Sequence, residues 1–174
     1  MTSSTQPALG AIRLAWWREA LERLDTNPPP PEPRLQAVAS DLLLRGISGK
    51  DLATLEDGWA ALLDEETNPE RIGRRGALLF ESGAKLLCGS DARLEEAGRL
   101  FVAGQLARKR LVGPQISAEM HALAGYRFPK VLRPLTALTR LAVRDARQSP
   151  AIEPEATPGR AVALLSHRLF GTVT

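Results

Sequence analysis

The sequence is short of the residues that build rigid covalent or metal-centred chemistry. A single cysteine in 174 residues, Cys88, excludes an internal disulfide and any cysteine-built zinc site. With only His121 and His167 beside it, a nitrogen and sulfur metal cage is not expected. No stretch approaches the roughly 18 consecutive apolar residues that a membrane-spanning helix needs. The start, MTSSTQPALG, lacks a basic segment followed by an apolar one, so no secretory signal is expected. Gly-x-Ser-x-Gly is missing, and two histidines far apart in sequence do not suggest a nucleophilic triad. A glycine-rich phosphate loop and a period-two apolar pattern are missing as well. These absences describe a cytoplasmic, metal-poor protein with no cofactor of its own.

What is present is helical periodicity and enough apolar residues, 44%, to build a core. Leu9, Ile12, Trp16, Ala20 and Leu24 recur every three or four residues and predict a helix over about 8–25. The prolines at 28–31 and 33 end it as a stiff loop. Leu35, Val38, Leu42 and Leu43 mark a second helix closing near Gly46, and Ser48 caps a third that carries Leu52, Leu55, Trp59, Leu62 and Leu63. Asn68-Pro69 starts a fourth, whose face mixes Ile72, Leu79, Phe80, Leu86 and Leu87 with Gly73, Gly76 and Gly83. Three helical glycines cost roughly 1 kcal/mol each against alanine, which predicts the close approach of another helix, the commoner case, or of a ligand. Cys88, at the apolar end of this helix, reads as a small core residue. Ser90 caps a fifth helix over roughly 91–110, and Ser117 begins a short one reaching Ala124. Leu135, Leu138, Leu141 and Ala142 line the next helix, after Pro129 and Pro134. A proline-rich linker at 149–158 then leads to a last helix, capped by Thr157 and Pro158 and carrying Val162, Leu165 and Leu169. The fold class is all-α, a helical bundle forming a single domain over 1–174.

Charge is unevenly spread. Residues 1–99 carry 12 Lys/Arg against 16 Asp/Glu, and residues 100–174 carry 11 against 4. A basic half is compatible with nucleic acid, anionic lipid or a phosphorylated ligand; the lack of a nucleic-acid motif makes nucleic acid the least expected of these. The carboxylates offer little to a metal. Asp91 and Glu95 share a helix face at i, i+4 spacing, which suits a hard cation. Yet Asp91 also fits a first helical turn, where the dipole favours negative charge, and Glu95 can pair with Arg99. Asp57, Asp64 and the acidic run ending at Glu66 read as solvated helix-end charges. Each histidine reads as a surface or half-buried side chain.

The most distinctive segment is Gly10–Leu21. Adjacent Trp16 and Trp17 point about 100° apart on a helix, so one enters a core while the other faces a second helix, a cavity or a membrane surface. Arg13 and Arg18 flank them. The run Ile12-Arg13-Leu14-Ala15-Trp16-Trp17-Arg18-Glu19-Ala20-Leu21 resembles the Arg-x-x-Trp-Trp segment of the squalene/phytoene synthase superfamily, in particular its divergent bacterial members. Several downstream features are similar to that family too: the helix at Leu35–Leu44, the Asp57-Gly58-Trp59 helix, Ala97-Gly98 through Arg108, Leu132-Arg133-Pro134-Leu135 through Asp145, and Pro158-Gly159-Arg160.

The resemblance implies an isoprenoid-synthase-like helical bundle, truncated, because only some ten residues precede the tryptophan helix where the family's first aspartate motif would lie. The second motif would fall at Val102–Arg108, which holds no carboxylate pair. It therefore implies a protein without catalytic activity, with no assigned catalytic residue and no metal. Such a protein binds a prenyl diphosphate or lipid ligand through Arg13, Trp16, Trp17 and Arg18, or acts as an assembly-factor-like scaffold with a protein partner or a second copy of itself. Peripheral contact with the inner membrane fits the same picture. The alternative is an active prenyltransferase condensing prenyl diphosphates in isoprenoid biosynthesis, using Mg²⁺ and an aspartate motif supplied upstream or by a partner.

Overall fold

The computed structural model describes residues 7–109, 117–148 and 153–173. It is all-α: among these residues the only β-type pairing is an isolated bridge between Arg127 and Thr172. The sequence reads as one domain, whereas the contacts group into two compact units, 1–75 and 76–174. The division falls inside one long helix, α5 (Pro69–Leu86).

In the first unit, α1 (Pro7–Arg23) packs on α3 (Gly49–Ala53) and α4 (Leu55–Ala60). The expected Ser48 cap is present as a full capping box with Asp51. Asp25 strengthens it from a distance, accepting hydrogen bonds from the Gly49 and Lys50 amides at 2.6 and 2.9 Å. Gly49 has to be glycine, because a Cβ there would strike the Leu21 backbone carbonyl. The second helix begins as α2 (Pro33–Ala37), with Glu32 accepting from the Leu35 amide. It then widens into a π-type turn and tightens into a 3₁₀ turn, ending at Gly46 with φ 76°. Asn68 caps α5 as its sequence suggests, accepting from the Arg71 amide at 3.1 Å.

The second unit is built around α6 (Leu94–Arg108), which packs on α7 (Ser117–Ala122) and α8 (Arg133–Gln148); α8 in turn packs on α9 (Pro158–Phe170). Phe80, Leu100, Leu123, Phe128, Leu132, Val143 and Val173 form the core. The close helix approach expected at the α5 glycines occurs at Gly76. A Cβ there would fall 2.6 Å from the Gly98 carbonyl carbon and 2.8 Å from a Val102 methyl. Gly104 meets Ala142 in the same way, a Cβ lying 2.6 Å from that of Ala142. Small residues thus set the approach of α6 to α5 and to α8.

Three local expectations change. Ser90 does not cap the fifth helix: it starts at Leu94, and Asp91 instead closes a turn ahead of it, accepting from the Arg93 amide at 2.8 Å. Cys88 is exposed rather than in the core, at φ 53° in the left-handed conformation that ends α5. Thr157 does precede α9, but its hydroxyl donates to Glu153 instead of capping the helix. Residues 149–152 of the linker lie outside the described residues, as does the side chain of Ser117.

Candidate functional site

The four residues singled out on α1 lie on its open side or at its edge. Leu14 and Leu24 are buried and Trp17 and Leu21 half-buried, so the packed stripe runs Gly10, Leu14, Trp17, Leu21, Leu24. The expected stripe is rotated away from it. Leu9, Ile12 and Trp16 are exposed, Ile12 by 67%, and of that set only Leu24 is fully buried. Packing α1 so close to Gly49 favours the stripe that begins with Gly10. Trp16 and Trp17 meet in a T-shaped contact with ring centroids 5.0 Å apart, and Trp16 remains 47% exposed. Arg13 is exposed; Arg18 reaches Glu22 at 3.3 Å and Glu56 at 3.8 Å. The structure therefore brings Trp16 and Trp17 together and ties Arg18 to carboxylates.

Helices α8 and α9 repeat this inversion. On α8 the buried positions are Thr136, Thr139, Ala142, Val143 and Asp145, while Leu138 is exposed and Leu135 and Leu141 half-buried; only Ala142 of the expected stripe is buried. On α9 the buried positions are Arg160, Ala163 and His167. Val162, Leu165 and Leu169, expected to face the core, are 64%, 58% and 69% exposed. Hydrogen bonding makes the polar seam stable. Thr139 donates to the Ala97 carbonyl at 3.0 Å, across to α6. Thr136 lies 2.9 Å from His167 Nε2, and Nδ1 lies 2.8 Å from the Thr172 carbonyl. A carbonyl only accepts, so Nδ1 carries the proton in the neutral ring, while the single Thr136 hydroxyl proton lies within reach of both Nε2 and the Leu132 carbonyl, 3.1 Å away. His167 is fully buried, contrary to the surface or half-buried position expected of it. Burial holds its pKa below the ordinary 6.5, and Arg133 and Arg140 add to the effect.

Polar groups continue along the seam. Asp145, 2% exposed, accepts from Arg108 at 2.9 Å and also pairs with Arg160. Arg108 donates in addition to the Glu153 carbonyl at 3.1 Å, and Arg144 pairs with the Glu153 carboxylate at 2.7 Å. The Arg144 hydrogen bond, then that of Thr157, holds the Glu153 pKa below the usual carboxylate range.

The same pairing recurs at the other acids considered from sequence. Arg71 clamps Asp57 at 2.7 Å and Asp64 at 2.6 Å, and its hydrogen bond lowers the Asp57 pKa. These two are therefore bridged rather than merely solvated. Glu95 pairs with Arg99 at 2.9 Å as expected, and Asp91 accepts from the Tyr126 hydroxyl at 2.9 Å. A guanidinium partner competes with a cation for the charge of the same carboxylate. One further group had no sequence signal. Arg75 is buried, its guanidinium 3.8 Å over the Trp59 ring, and burial pushes its pKa down to about 10.

Two open clefts flank the exposed ridge of α9. One, of about 720 Å³, is bounded by Lys130, Pro134, Ala137, Leu164, Arg168 and Leu169; the other, of about 590 Å³, runs past Leu141, Pro158 and Ala161. Leu164 borders both. Against known protein families, curated proteins and solved structures, the chain gives no significant match.

Proposed function

We propose that the chain is a non-catalytic binding or scaffold protein of squalene/phytoene-synthase-like character, which takes a prenyl or lipid-like ligand or a protein partner on its open apolar helix faces. The observation that carries this reading is the inversion of α1, α8 and α9. Each turns tryptophan, leucine or valine outward, although α1 packs through its own second apolar stripe while α8 and α9 pack largely through small or polar residues. A helix left with such a face gains free energy when the face is covered, about 25 cal/mol per Å² of apolar surface. The arginine-paired carboxylates support the non-catalytic half of the reading, because a diphosphate-activating metal clamp needs acids that are free to ligate. The ligand residues proposed are Arg13, Trp16, Trp17 and Arg18, with the exposed part of Trp16 as the apolar contact.

Two measurements test this. The purified chain, incubated with Mg²⁺ and farnesyl or geranylgeranyl diphosphate, is expected to release no pyrophosphate and form no condensed product. Titrating the same diphosphates should change tryptophan fluorescence, and Trp16→Ala should abolish the change. Turnover would establish the prenyltransferase reading in place of this one. An unchanged spectrum at millimolar ligand would remove α1 as the ligand site.

A further inference from the structure

The α8–α9 face has both the geometry and the charge of a surface that lies on lipid. Val162, Leu165 and Leu169 form a ridge at i, i+3, i+7 spacing, each more than half exposed, and Phe170 extends it at the C-terminal end of α9. The clefts on either side continue the apolar surface through Ala137, Leu141 and Leu164. Cations dominate the charge beside this ridge. Lys130 and Arg168 are exposed along the first cleft and α9 contains no acid, while Glu155, at the rim of the second cleft, lies 3.8 Å from Arg108. The one acid of α8, Asp145, is buried between Arg108 and Arg160. An isologous dimer through this face would bring Arg168 and Lys130 toward their own copies, so like charge opposes a second copy as the occupant. A convex apolar ridge rimmed mainly by cations matches the interfacial helices that sink one face to the level of the headgroups while lysine and arginine meet anionic phosphates.

We infer that the α8–α9 face docks peripherally on an anionic lipid surface, with Val162, Leu165, Leu169 and Phe170 entering the headgroup boundary and Lys130 and Arg168 contacting lipid phosphates. The inference rests on the scaffold reading above and names the partner of this face. No helix among the described residues is long and apolar enough to cross a membrane, so the contact is lateral.

The test is flotation of the full chain with vesicles of equal parts phosphatidylglycerol and phosphatidylcholine, against phosphatidylcholine alone. The chain should float with the anionic vesicles and not with the neutral ones. Raising salt from low to physiological strength should weaken binding severalfold. Leu165→Ser with Leu169→Ser should lower the partition coefficient roughly tenfold or more while leaving the circular dichroism and melting temperature unchanged, since both side chains are exposed. Lys130→Glu with Arg168→Glu should remove the preference for anionic vesicles. Failure to float with anionic vesicles at low salt overturns the inference, as does binding indifferent to both double variants. Light scattering that shows a dimer dissolved by Leu165→Ser and Leu169→Ser also overturns it, because a second copy would then own the face. The diphosphate titration is done without vesicles, so an intact ligand response beside absent flotation sinks the membrane contact alone.

Discussion

His167 illustrates what a single buried residue contributes. Its two ring nitrogens face the Thr172 carbonyl and the Thr136 hydroxyl, and burial favours the neutral form. In the unfolded chain the ring has its ordinary pKa of 6.5; in the folded protein burial holds it lower, with Arg133 and Arg140 repelling a second positive charge. At a pH between the two values the unfolded state binds the extra proton, so stability falls as pH drops through 6.5 and levels off below the folded value. Thermal unfolding followed from neutral pH down to about pH 5 should show this decline. His167→Gln, which can donate to the Thr172 carbonyl and accept from Thr136, should flatten the curve in that interval. An equally steep decline in the variant would assign the effect to other groups. Arg75 shows the complementary case: its charge is retained under burial because the Trp59 ring lies against one face and the Gly58 carbonyl accepts from it at 3.4 Å.

At the scale of helices, existence was easy to read and rotation was not. The caps at Ser48 and Asn68, the stop at Gly46 and the breaks at the proline run follow from local chemistry, and each is found where the sequence puts it. The leucine stripes of α1, α8 and α9 misled because apolar periodicity finds a greasy face without saying whether a neighbour covers it. What decides the packed face here is how near the backbones come. Gly76 against Gly98, Gly104 against Ala142 and Gly49 against the Leu21 carbonyl leave no room for leucine, and threonine fits the same seams because its hydroxyl returns to a carbonyl. The glycines of α5 did announce the close approach; the threonines and Asp145 gave no such signal, since polar residues on a helix ordinarily read as its solvent side.

These contacts make two glycines behave oppositely. Gly98→Ala would drive a methyl to within 2.5 Å of the Gly76 carbonyl carbon and 2.8 Å of the Ala77 nitrogen, and should destabilise by about 1–3 kcal/mol. Gly10→Ala meets only the flexible end of Leu63, at 3.1 Å, and should stabilise α1 by up to about 1 kcal/mol through helix propensity. Urea unfolding of the two variants checks both signs. Equal effects would show that propensity rather than helix approach governs these positions.

For the whole molecule, the main fact is the separation of charge along the chain. A formal net charge of +3 understates the field of residues 100–174, where basic residues outnumber acidic ones 11 to 4. A cation-exchange column at neutral pH should therefore retain the protein more strongly than its net charge suggests. Arg147→Glu with Arg168→Glu, both exposed, should elute at distinctly lower salt, whereas reversing exposed Arg23 and Arg45 in the more acidic part, to Glu, should shift elution less. Equal shifts would mean that the column reads only total charge. The sequence made this asymmetry plain. It could not reveal that Asp57 and Asp64 share Arg71, or that Asp145 is held by Arg108 and Arg160, because such pairs form only once the helices have packed.

Cys88 has a practical consequence. It is the only thiol in the chain, it is exposed, and it sits at the turn that ends α5. A maleimide dye or nitroxide will therefore attach at one defined point, without engineering and without disturbing the core. Two chains meeting in air can also join through that sulfur alone, so any dimer seen without reductant must be shown to survive its addition before it counts as a designed contact between helix faces.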